Sequence, residues 1–62
     1  MSRDEILLEL RKNADEKGDV EFKFSDDLLT KKQELNALKS LADDGYIQRL
    51  TASIGYAIYR VL

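Results

Sequence analysis

Sixty-two residues hold one domain at most, and the absence of cysteine and histidine removes disulfides, thiol nucleophiles, an imidazole base and the usual zinc ligands together. So short a chain must rest on its apolar core alone, which a 44% share of hydrophobic residues permits. The net charge of −2 is unfavourable for nucleic-acid binding, but it is unevenly spread. Residues 1–30 carry five cations and nine carboxylates, net −4, while residues 31–62 carry five cations and three carboxylates, net +2. Such an asymmetry hints at a polar partner for one face. No apolar run approaches the roughly 18 residues of a membrane span. The opening "MSRDEILLEL" is acidic where a signal peptide is basic, so a cytoplasmic location is expected.

Ser2 and Glu5 fit a capping box, in which a hydroxyl accepts from the third helical amide and the carboxylate reaches back. The spacing predicts a first helix over 3–17, with Ile6, Leu7, Leu10 and Ala14 on one stripe and Gly18 ending it. Leu8 points about 145° away from that stripe. "VEFKF" alternates apolar and charged residues and predicts a half-buried strand over 20–24, at a sheet edge. Ser25 offers an N-cap to a second helix of a turn or so over 26–29, with Asp26 and Asp27 well placed against the helix dipole.

Thr30 and Gln33 form another capping box, predicting a third helix over 31–44 whose inward stripe is Leu35, Leu38, Leu41 and Ala42. Gly45 stands where a left-handed residue closes a helix. "YIQRL" and "YAIYRVL" read as strands over 46–51 and 56–62, joined across "TASIG" with Gly55 supplying turn freedom. Their register stays open, since Ile58 and Val61 lie on opposite faces of one strand.

The sequence is therefore α+β in the order α-β-α-α-β-β, a single domain over 1–62. Through "LNALKSLADDGYIQR" in particular it resembles the winged helix-turn-helix family. The resemblance spans nearly the whole chain. It implies a three-helix core with a helix-turn-helix over 25–44 and a β-hairpin wing over 46–62. It also implies double-stranded DNA binding, as a small transcriptional regulator or accessory factor. The Z-DNA-binding branch of the family carries a tyrosine on the recognition helix and a Pro-Trp wing. Lys39 stands near that tyrosine position and the chain has no proline or tryptophan, so that branch does not fit.

The outward side of the third helix carries Lys32, Gln33, Asn36, Lys39, Ser40 and Asp43, with Lys31 at its start. In helix-turn-helix proteins the N-terminal part of the second helix reaches base edges in the major groove. Glutamine and asparagine pair with adenine, and lysine meets guanine acceptors or phosphates. Lys31, Lys32, Gln33, Asn36, Lys39 and Ser40 are thus the candidate recognition residues. Any solvated helix face carries the same residue types. Arg49 and Arg60, if opposed across the hairpin, would add a basic wing patch. The tip "TASIG" has no charge with which to grip a phosphate. Leu8 and Leu62 are candidates for a dimer or partner contact. They suit the alternative function, a protein-interaction module without DNA binding. Adjacent carboxylate pairs at helix ends, with no glycine-rich loop or calcium-loop spacing, leave no enzyme, metal, cofactor or small-molecule substrate expected.

Overall fold

In the computed structural model, which describes residues 2–62, the chain is α+β: helix α1 (Arg3–Asn13), strand β1 (Asp19–Lys23), helix α2 (Leu28–Asp43), and strands β2 (Ile47–Ala52) and β3 (Tyr56–Val61). Met1, part of the expected domain, lies outside the described residues. The three strands form one antiparallel sheet in the order β1-β3-β2.

α1 starts as expected, with the Ser2 hydroxyl accepting from the Glu5 amide at 3.2 Å. It ends earlier than the predicted 3–17, because Ala14 turns extended and Asp15 organises a loop instead. The Asp15 carboxylate accepts from the amides of Lys17 (2.8 Å) and Asp19 (2.9 Å), an alternative to helical bonding that short acids offer. Gly18 does take a left-handed conformation, φ +85°, but inside this loop rather than at a helix end. A Cβ there would stand 3.0 Å from the Val61 carbonyl oxygen, so both conformation and space select glycine.

The predicted pair of helices over 26–29 and 31–44 is a single helix, and the order is α-β-α-β-β, with two helices among the described residues. The three-helix core and the helix-turn-helix are therefore not formed. The physical reason is a contest between caps. Asp27, not Ser25 or Thr30, is the N-cap, and its carboxylate accepts from both the amide (2.9 Å) and the hydroxyl (2.7 Å) of Thr30. A charged acceptor holding two donors outcompetes a hydroxyl. Thr30 becomes a first-turn residue, while Ser25 accepts the Asp27 amide at 3.2 Å to form the turn ahead of the helix. At its far end Gly45, φ +84°, closes α2 by donating to the Ala42 carbonyl at 3.1 Å, while the Tyr46 amide donates to the Leu41 carbonyl at 3.0 Å.

The inward stripe of α2 is Glu34, Leu38 and Leu41, flanked by Ala37 and Ala42. Leu35, expected inside, is 42% exposed. Glu34 replaces it because β1 ends at Lys23 and leaves the Ser25 amide in need of a partner. The Glu34 carboxylate accepts that amide at 2.9 Å. The core is closed by Ile6, Leu7 and Leu10 of α1 and by Val20, Phe22, Ile47, Ala57 and Tyr59 of the sheet.

Register settles the question left open by the sequence. Val20 opposes Tyr59 and Phe22 opposes Ala57, all facing the helices. Ile47 opposes Val61 and Arg49 opposes Tyr59, after which a bulge at Leu50 shifts the pairing to Thr51–Ile58. The expected strand limits are off by one residue or so. Gly55 does not use left-handed backbone; the hairpin closes with the Ser53 amide donating to the Tyr56 carbonyl at 2.8 Å.

A candidate nucleic-acid interface

β2 leaves the Gly45 turn and runs back alongside α2. At its end the Lys31 ammonium donates to the Ile54 carbonyl at 2.7 Å and lies 5.7 Å from the centre of the Phe24 ring. The Phe24 amide donates to the Gly55 carbonyl at 3.0 Å, so the hairpin tip is tied to the start of α2. Between helix and strand lies an open groove of about 520 Å³, lined by Leu35, Asn36, Lys39 and Asp43 from α2 and by Arg49 and Tyr59 from the sheet.

Lys32, Gln33, Asn36 and Lys39 are exposed, as the helical spacing implies. Neither Lys32, Lys39 nor Arg49 has an ion-pair partner among the described residues. Arg49 belongs to the helix-facing side of β2 yet sits on an edge strand, so its guanidinium reaches the groove rather than the core. Beside it, burial pushes the Tyr59 phenol up while the Arg49 charge pulls it partly back. Asp43 is the single carboxylate lining this groove.

Three expected site residues are committed elsewhere. Lys31 is tied to the hairpin tip. Ser40 faces α1, where its hydroxyl accepts from Arg3 at 2.7 Å; Arg3 also pairs with Asp44 and lies 5.4 Å from the Tyr46 ring centre. Arg60 makes a two-pronged contact with Asp19 across β1 and β3, Nε to Oδ1 at 2.7 Å and Nη2 to Oδ2 at 3.3 Å. That hydrogen-bonded pair raises the Arg60 pKa and depresses the Asp19 carboxyl. The expected Arg49–Arg60 patch does not form, since Arg60 opposes Gln48 and Arg49 opposes Tyr59, which places the two arginines on opposite faces of the sheet. Leu8 is exposed above a shallow hollow with Glu5, Glu9, Lys12 and Asn13; Leu62 is not part of it and bonds instead to the Tyr46 carbonyl.

Other features were missed from sequence. Leu28, Leu29 and Ile54 are 82%, 67% and 90% exposed. The leucines stand outside the core because they fall in the first turn of α2 rather than in a helix of their own. Register, unreadable in the sequence, brings Arg49 into the groove that Lys39 also lines. The depressed carboxyls of Asp19 and Asp27 are each accounted for by a local donor, Arg60 and Thr30. Among the described residues no acidic cluster could hold a metal ion, and no helix is long and apolar enough to cross a membrane.

No family model, curated protein or solved structure matches this chain. The fold and groove define a small α+β domain with a helix and a hairpin edge offering unpaired cations side by side.

Proposed function

We propose that the chain is a winged-helix type of domain in which one long helix stands where the family has two, and that it binds double-stranded DNA as a small cytoplasmic regulator or accessory factor. Helix, strand, helix and closing hairpin keep the order that the resemblance implies except for its separate second helix, which is merged into α2. Lys32, Gln33, Asn36 and Lys39 of α2 meet the major groove, and Arg49 meets the adjoining backbone. The observation that carries this proposal is the convergence of Asn36, Lys39 and Arg49 on one groove with both cations unpaired. The acidic residues do not dilute it much, since most belong to α1, β1 and their loops.

Three free cations (Lys32, Lys39, Arg49) give weak binding whose logarithmic salt slope is about −3. Fluorescence anisotropy with a labelled mixed-sequence duplex at low salt tests the proposal. The chain should bind, and Lys39→Glu/Arg49→Glu should abolish binding while the circular dichroism spectrum is retained. Equal, negligible signals from both proteins end it. One observation favours a second function, a protein-interaction module: the exposed Leu28, Leu29 and Ile54, which a nucleic-acid surface does not require.

A further inference from the structure

Leu28, Leu29 and Ile54 are brought to one end of the molecule by the ties between the hairpin tip and the start of α2. None belongs to the core, and each exposes at least two thirds of its surface. Exposed apolar groups gathered in this way and rimmed by polar residues mark interaction sites.

The rim indicates the partner. Asp27 is occupied as the cap of α2, and Lys31 is occupied by the Ile54 carbonyl. Asp26 and Lys32 remain, with the two leucines between them along the chain, and neither has a polar partner among the described residues. A partner of one charge sign would leave either Asp26 or Lys32 facing a like charge. An anionic lipid surface would leave Asp26 facing a like charge. A second copy of the same surface matches both, because a two-fold axis sets Asp26 of each copy against Lys32 of the other while the apolar side chains meet at the centre.

We propose that this end of the domain is the interface of a two-fold homodimer, with Leu28, Leu29 and Ile54 of both copies at its centre and two reciprocal Asp26–Lys32 pairs at its rim. Three apolar side chains per copy make a patch well below the roughly 800 Å² per partner of a standard interface. The dimer is therefore weak and fills at roughly millimolar protein. Lys32 is shared with the proposed DNA surface, so a duplex and a second copy compete for it. The dimer itself does not depend on DNA binding.

Sedimentation velocity without DNA, from about 10 µM to about 1 mM protein, tests the interface. The chain should pass from monomer to a mixture with about half of it dimeric over that range, and Leu28→Asp/Ile54→Asp should stay monomeric with an unchanged circular dichroism spectrum. Asp26→Lys and Lys32→Asp should each weaken the dimer several-fold, because each sets like charges together twice. The double variant Asp26→Lys/Lys32→Asp should recover most of the loss, since the axis restores both pairs with signs exchanged. A monomer at the highest concentration, an intact dimer in the apolar variant, or no recovery in the double variant each overturns the proposal.

Discussion

Truncating two leucines three residues apart on α2 tests which way the helix faces. Leu38 is 1% exposed, whereas Leu35 is 42% exposed and borders the open groove. Leu38→Ala removes a fully buried side chain and leaves a cavity, a cost of about 2–5 kcal/mol. Leu35→Ala gives up about half of a burial worth roughly 2 kcal/mol and opens no cavity, so it costs about 1 kcal/mol. A core this size supplies only about 3–5 kcal/mol in all, so the difference separates a weakened fold from a barely populated one. Urea unfolding followed by far-ultraviolet circular dichroism reads it directly. With a slope near 1 kcal/mol per M for so small a domain, Leu35→Ala should lower the midpoint by about 1 M. Leu38→Ala should lower it by about 2 M or more, or abolish the folded baseline. Coincident midpoints would refute the orientation described here and restore the ridge of Leu35, Leu38 and Leu41 that the spacing alone suggests.

The same logic extends to the residue that takes the inward place. Glu34→Ala strands the half-buried Ser25 amide and should cost about 1 kcal/mol, with faster hydrogen exchange at that amide; Glu34→Gln keeps an acceptor and should lose clearly less. Alanine at Gly45 meets open space and should cost only the left-handed backbone penalty of about 1–2 kcal/mol. At Gly18 the 3.0 Å approach to the Val61 carbonyl adds to that penalty, so the Gly18→Ala midpoint should fall further. For acid sensitivity, Asp19 and Asp27 have folded pKa values below their unfolded ones, Asp19 chiefly through Arg60 and Asp27 chiefly through Thr30. Their stabilisation is complete above the ordinary carboxylate range and is lost as pH falls through the depressed values. Thermal midpoints measured downward from pH 7 should decline less steeply in Asp19→Asn and Asp27→Asn than in the parent chain; parallel curves would contradict these assignments.

The class of the fold was legible because its signals are local. Ser2 caps α1, Gly45 closes α2, and the alternation of Val20, Phe22 and Phe24 marks the first strand with little help from the rest of the molecule. What escaped was settled by competition or by distant partners. Three cap signals lie within six residues, Ser25 to Thr30, and nothing in their order reveals that Asp27 will hold both Thr30 donors. Glu34 looks like a solvent residue until the end of β1 presents an amide that needs it. The site followed the same division. Exposure of Lys32, Gln33, Asn36 and Lys39 follows from helical spacing. The loss of Arg60 to Asp19, of Ser40 to Arg3 and of Lys31 to Ile54 depends on residues 23 to 41 positions away. Arg49 lines the groove beside α2 rather than opposing Arg60 across the hairpin, a placement that only the register decides.

The charge is uneven along the chain, net −4 over residues 1–30 and net +2 over residues 31–62, so the small net charge understates the contrast between its halves. Under the proposed DNA binding, this contrast would exert a torque before contact and turn Lys32, Lys39 and Arg49 toward the negative field. The effect acts over about a Debye length, roughly 8 Å in physiological salt. It therefore governs how often encounters begin in a productive orientation rather than how long they last.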